Sequence, residues 1–209
     1  MSTRDIFPVT IYETKFDGFE SIQSKIIEVL RPLFNNNIAV GNQYYDKDKN
    51  PIFIRTEPNL QGNKDLKPVT DFIEHHAKIY WKTLNLTSKI DPYVMQMWAN
   101  DVPPGGFTPA HTHVPVPMGG VFYVDADSEM GNLYLEDPLE TIRGQMPFDA
   151  EQGYRPYIPV EEIKVETGKL VIFPGWLRHH VRSNMSNNNR LIVGFNIGAW
   201  RTWLPNPYQ

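Results

Sequence analysis

Apolar residues recur with two different periods along this 209-residue chain, and the change comes near Asp91-Pro92. Before it, residues 6–16 alternate loosely, with Val9, Ile11 and Tyr12, and predict a first strand. Asp17 or Ser21 can cap a helix after it. Ile22, Ile26, Val29 and Leu30 return at helical spacing there, and Pro32 marks its end. Residues 35–60 are polar and rich in Asn, Lys and Asp. They read as an irregular segment with a short strand at 52–54. Residues 65–84 predict a second helix, with Pro68 in its first turn, where a missing N–H costs nothing. Val69, Phe72, Ile73, Ala77 and Tyr80 lie on one face of it.

After residue 92 the texture is that of strands. Runs at 93–100, 120–125, 132–136, 169–174 and 190–197 are each bounded by Gly, Pro, Asn or Asp. Residues 138–159 form an insertion without periodicity, holding Phe148, Tyr154 and Tyr157 among glycines and prolines. A loop of that length inside a domain is usually functional. Two helices followed by short strands predict a mainly β fold, a sandwich or barrel with the helices packed outside. One domain over 1–209 is expected: strand and supporting helices at 1–92, a β core at 93–200, and a tail at 201–209.

Composition narrows the chemistry. The formal charge is −4 and no basic run exists, which disfavours a clamp for duplex nucleic acid. No apolar run approaches a membrane span, and the first residues lack the apolar core of a signal peptide. A cytoplasmic protein is expected. There is no cysteine, which excludes disulfides, thiolate zinc sites, iron–sulfur clusters and cysteine nucleophiles. Any metal must be held by histidine, carboxylate or other oxygen ligands.

The six histidines come as His75-His76, His111-Thr112-His113 and His179-His180. The first pair lies in the second predicted helix, where a hydrogen-bonded structural histidine is the simplest reading. The others fall in the β region. Residues i and i+2 of a strand share a side, so His111 and His113 converge if that segment is extended, as Pro109 and Pro115 favour. Two imidazoles on one face can grip a divalent metal. His179 or His180 is the obvious third ligand. Arg190 opens an apolar strand, where a guanidinium is costly unless an acid meets it, and its fork matches a carboxylate. Eleven residues separate His179 from Arg190, enough for a hairpin that puts both in one cavity. Other patterns are weaker. Asp46, Asp48, Asn50 and Glu57 imitate a calcium loop, but Pro51 replaces the required glycine. The sequons at Asn85 and Asn184 carry no weight without secretion, and no G-x-S-x-G elbow is present.

Several segments, in this order and spacing, resemble the iron(II)- and 2-oxoglutarate-dependent oxygenase superfamily. They are Ile6-Phe7-Pro8-Val9, Met97-Trp98-Ala99-Asn100, His111-Thr112-His113, residues 119–124, Gly131-Asn132-Leu133 with Asp137-Pro138, residues 168–179, and residues 190–196. More narrowly, the chain is similar to an oxygenase family common in bacteria and in phages, marine cyanophages among them. A phage protein would act in the host cytoplasm.

The resemblance implies a double-stranded β-helix, or jelly roll, open at one end. It implies iron(II), 2-oxoglutarate and dioxygen, with hydroxylation of a substrate and release of succinate and carbon dioxide. Carried onto this chain, His111 and His179 are metal ligands and Arg190 binds the distal carboxylate of 2-oxoglutarate. Tyr123 adds a hydroxyl to that carboxylate, and Asn100 or Trp98 touches cosubstrate or substrate. The usual carboxylate ligand is replaced by His113. A three-histidine site results, or Asp125, Glu136 or Asp137 supplies the carboxylate instead. Family spacing selects His179 over His180. Ile192 stands where many relatives carry a second hydroxyl. The substrate (peptide, sugar or nucleotide) is open, as is a homodimer. The alternatives are a three-histidine cupin-type dioxygenase that does not use 2-oxoglutarate, and a non-enzymatic jelly-roll binding or structural protein.

Overall fold

Strands buried on both faces need apolar residues at every position, with period two deciding which layer each side chain joins. This chain uses that rule in its central strands. Residues 8–36, 43–45, 51–140 and 159–199 are those described by this computed structural model. They form β1 (Tyr12–Lys15), α1 (Glu20–Asn36), β2 (Gln43–Tyr45), β3 (Pro51–Arg55), α2 (Lys67–Thr83), β4 (Tyr93–Val102), β5 (Thr108–His111), β6 (Met118–Asp125) and β7 (Leu133–Glu136). β8 (Val160–Ile163), β9 (Lys169–Pro174), β10 (His179–Val181) and β11 (Arg190–Gly198) follow.

Two antiparallel sheets result. The larger runs β1-β9-β6-β11-β4-β3-β2 and the smaller runs β5-β10-β7-β8. Along β6, Phe122 and Val124 join the core under the helices, whereas Val121 and Tyr123 join the core between the sheets. In β9, Leu170 and Ile172 face the helices while Val171 and Phe173 face the smaller sheet. Helices, larger sheet and smaller sheet therefore stack as three layers. This is the mainly β double-stranded β-helix with helices outside that the sequence predicts.

The predicted strands at 93–100, 120–125, 132–136, 169–174 and 190–197 are all present. Pro32 does not end α1, which runs on to Asn36. An interior proline forfeits one helix hydrogen bond and costs about 3 kcal/mol. Here its ring is exposed, and the extra turn buries Phe34. β10 and β11 are not a hairpin: the chain crosses from the smaller sheet to the larger one between them. Most of the 138–159 insertion and the 201–209 tail lie outside the described residues.

Phe122 is fully buried and meets Phe19 edge-on, with ring centroids 4.9 Å apart. Phe122→Ala should cost about 3–5 kcal/mol in a urea melt. Its side chain points at the helices, so metal affinity should be retained in the folded fraction, which a metal titration checks.

Candidate functional site

The β5–β10 pairing sets His111 directly opposite His179. One ring nitrogen from each of His111, His113 and His179 lies within 4.8 Å of the other two. The route that brings in His113 differs from the one predicted. β5 ends at His111, and His113 sits beyond it in a turn held by its own N–H, which donates to the Gly175 carbonyl at 2.7 Å. Its ring then lies against the backbone of β6 at Gly119. A Cβ at Gly119 would stand 2.5 Å from His113 Nδ1, so only glycine admits the ring there.

Each imidazole is fixed through the same atom. His111 Nδ1 meets the Pro109 carbonyl at 2.8 Å, and His179 Nδ1 meets the Leu177 carbonyl at 2.9 Å. His113 Nδ1 meets Asn196 Oδ1 at 2.6 Å, and the Asn196 amide is oriented by donating to Gln96 Oε1 at 2.8 Å. These oxygens only accept, so Nδ1 carries the proton in all three rings. Nε2 is left with a lone pair, the form in which histidine binds metal. Burial keeps the rings neutral. It lowers His179 to about 3, aided by the neighbouring imidazoles. It lowers His113 to about 4 against the opposing Asn196 bond, and lowers His111 as well. Arg55 adds to the effect on both His111 and His113. Three neutral imidazoles with open Nε2 positions fit a divalent transition metal such as iron(II).

Behind the histidines lies a small cavity, also lined by Trp98, Asn100, Thr108, Tyr123 and Arg190. Arg190 is 1% exposed. Its Nη1 donates to the Met130 and Gly131 carbonyls, but its Nε and Nη2 meet no acceptor among the described residues. The Tyr123 hydroxyl, Thr108 Oγ1 and Trp98 Nε1 are likewise buried without a partner. An orphaned buried polar group costs about 1–3 kcal/mol. Here the orphans of four residues face one cavity. Burial lowers Arg190 to about 10, which leaves it charged at neutral pH, and raises Tyr123. The donor set fits the carboxylate of an acid such as 2-oxoglutarate.

The remaining candidates separate clearly. His180 points away from the cavity, where its Nδ1 meets Glu136 Oε1 at 3.0 Å and its ring stacks on Tyr134. Glu136 also pairs with Arg178. Asp125 and Asp137 are outside the histidine group. Asn100 and Trp98 line the cavity, and Asn100 Oδ1 accepts from Arg55 Nε. His76 meets the Tyr12 hydroxyl from α2, as a structural histidine. Asn184 is buried in side-chain bonds to Val102 and Asn188. Residues 46–50 of the calcium-like pattern lie outside the described residues. Sequence reasoning missed Arg55, Thr108 and Asn196. Gly119-Gly120 inside a strand was a usable signal of close approach.

Two outcomes are expected. The depressed histidines bind fewer protons folded than unfolded below their usual 6.5. Stability of the metal-free protein should therefore fall as pH drops from 6.5 towards 3, and His179→Gln should flatten that slope in urea melts across pH. Gly119→Ala should displace the His113 ring and weaken nickel(II) binding at least about tenfold by calorimetry.

The comparisons with known proteins agree with this geometry. Residues 96–196 match the family described as "Putative 2OG-Fe(II) oxygenase". No curated protein matches the sequence. Among solved structures, the non-heme alpha ketoglutarate dependent epimerase SnoN from nogalamycin biosynthesis is similar at TM-score 0.67 and 10% identity, over 91% of this chain and 77% of that one. AviO1 from Streptomyces viridochromogenes Tue57 is similar at TM-score 0.63 and 14% identity, over 92% of each chain. HygX from Streptomyces hygroscopicus, with nickel, 2-oxoglutarate and hygromycin B bound, is similar at TM-score 0.56 and 12% identity, over 92% of this chain and 86% of that one. At such identities the likeness speaks for the fold alone. Residues 96–196, which hold His111, His113, His179 and Arg190, are the part of the chain that is similar to the 2OG-Fe(II) oxygenase family.

Proposed function

We propose that the chain is an iron(II)- and 2-oxoglutarate-dependent hydroxylase, with His111, His113 and His179 as the metal ligands. The reading is carried by one observation: three lone-pair-bearing imidazoles open into the cavity where the Arg190 and Tyr123 donors lack partners. His111, His113 and His179 would hold iron(II), which would supply the Lewis-acid and redox chemistry at which the keto acid end of the cosubstrate and dioxygen are bound. The protein's own residues do the rest. Arg190, fixed through Nη1, offers Nε and Nη2 to the distal carboxylate, and Tyr123 offers its hydroxyl. Phe173 packs against His179, with ring centroids 4.5 Å apart, and keeps that wall of the cavity apolar. Trp98 and Asn100 stand on the β4 wall.

The primary substrate (a peptide, sugar or nucleotide) would reach the histidines through an outer cleft of about 600 Å³. Arg55, Gln96, Thr112 and Asn196 give that cleft polar groups, and Trp98, His111 and His113 are shared with the inner cavity. Among the described residues no helix is long and apolar enough to cross a membrane.

The test is anaerobic titration of the iron(II)-loaded protein with 2-oxoglutarate, read by the weak visible charge-transfer band of the chelate. A band in the native protein that is lost in His179→Ala is expected, and Arg190→Met should weaken cosubstrate binding about a hundredfold or more. Succinate release on admitting air should follow the same order. Iron binding without any band would overturn the proposal in favour of a three-histidine dioxygenase that does not use 2-oxoglutarate.

A further inference from the structure

Gln96 on β4 and Asn196 on β11 are partners across the strand pair, and both line the outer cleft. Their amides stand in a fixed order. His113 carries its proton on Nδ1 and donates it to Asn196 Oδ1. Asn196 then has its Nδ2 to offer, which donates to Gln96 Oε1. An amide that accepts through its oxygen turns its nitrogen onward. The series therefore reaches the cleft as Gln96 Nε2, a group that can only donate. Arg55 lines the same cleft and, as an arginine, also donates only and stays charged. Its Nε donates to Asn100 Oδ1 at 3.2 Å, and the guanidinium lies 5.1 Å from the Trp98 ring centroid and 5.4 Å from that of Phe53. These contacts hold it at the cleft wall. Among the described residues that line the cleft none is a carboxylate.

We propose that the primary substrate presents an oxyanion, a carboxylate or a phosphate, to Arg55 and Gln96 in the outer cleft. The inference rests on the function proposed above and names its substrate class. A sugar hydroxyl or a peptide amide N–H brings a hydrogen that neither residue can accept. An oxyanion accepts at every lone pair, and its charge-assisted bonds are roughly twice as strong as neutral ones. The polarity of the cleft is tied to the histidines. The same Nδ1 proton that leaves His113 Nε2 open turns the Gln96 nitrogen outward. Gln96 and Asn196 line the outer cleft and not the inner cavity, whereas Arg190 and Tyr123 line the inner cavity and not the outer cleft. The two anion positions are thus separate, with the histidines between them.

In the experiment the nickel(II)-loaded protein is saturated with 2-oxoglutarate, so that Arg190 is occupied. It is then titrated by calorimetry with phenyl phosphate, with benzoate and with uncharged benzyl alcohol. At least one anion should bind about tenfold or more tightly than the alcohol, and the tighter of the two tells a phosphate from a carboxylate. Gln96→Glu keeps the oxygen that accepts from Asn196 and puts a negative acceptor in place of Nε2. It should weaken that anion about tenfold or more and leave 2-oxoglutarate within about threefold of its native affinity. Arg55→Met should weaken the anion about tenfold as well, and it decides the matter if Gln96→Glu does not fold. The inference is overturned if neither anion binds, if the alcohol binds as tightly as both, or if Gln96→Glu leaves the anion unchanged. Anion affinity that falls as 2-oxoglutarate is raised would show competition for Arg190 and overturn it too. A native protein that does not bind 2-oxoglutarate overturns the proposed function itself, a result distinct from silent anions with the cosubstrate in place.

Discussion

The Arg190 guanidinium lies at the head of β11, between the two sheets, with one nitrogen tied to the chain and two facing a cavity in which no oxygen of the described residues meets them. Removing a cation from water costs several kcal/mol unless its neighbours repay it. Two carbonyls repay part, and the remainder is left to whatever occupies the cavity. Around this constraint the sheets divide their labour. The face of the larger sheet towards the helices is apolar and stabilises the fold. The opposite face carries Tyr123, Trp98 and Arg190 at cavity positions, where polar atoms are left to a ligand. A residue on β6 or β11 thus changes from structural to chemical in a single step along the strand.

The histidines obey a complementary rule. Each Nδ1 is occupied by an oxygen that belongs to the scaffold, and each Nε2 is therefore committed to the shared space. Two of the three acceptors are carbonyls two residues back in the chain, so the rotamer is set by local backbone. His113 has no such local partner and takes its orientation from β11 and β4, through Asn196 and Gln96. It is the histidine of the three most dependent on the larger sheet, and its ring is also the one pressed on Gly119.

Much of this was legible in the sequence, for identifiable reasons. The long apolar strands have a period that survives any tertiary context, and the His-x-His pair, His179 and Arg190 are costly residue types in β surroundings. The rest was carried by contacts remote in sequence. β8 and β10 are four and three residues long, and β10 is half histidine or more, so no hydrophobic period exists to find. Pro32 reads as a stop until Phe34 finds its place in the core. Thr108 was invisible because strand alternation puts it on the wrong side of His111, and only the irregular pairing with β10 corrects that. The His179–His180 ambiguity yields to Glu136 and Tyr134, which claim His180 for the outer surface.

Among the described residues no carboxylate joins the histidine cluster, and this has a physical consequence for the free protein. A buried aspartate beside two histidines would be an uncompensated anion before metal arrives, or would draw a proton onto an imidazole and block a ligand position. With His113 in that place, three rings with ring nitrogens within 4.8 Å of one another coexist as neutral groups, because a proton on any of them would be desolvated and on His111 or His113 would also face Arg55. Burial therefore does more than exclude water. It holds the histidines in the protonation state that a metal requires, so at neutral pH a divalent ion meets ligands that have no proton to lose. The charge such an ion brings is then balanced by its anionic ligands. The cavity beside the histidines, with its cationic arginine and unpartnered hydroxyls, has the charge and the donors to suit an anion.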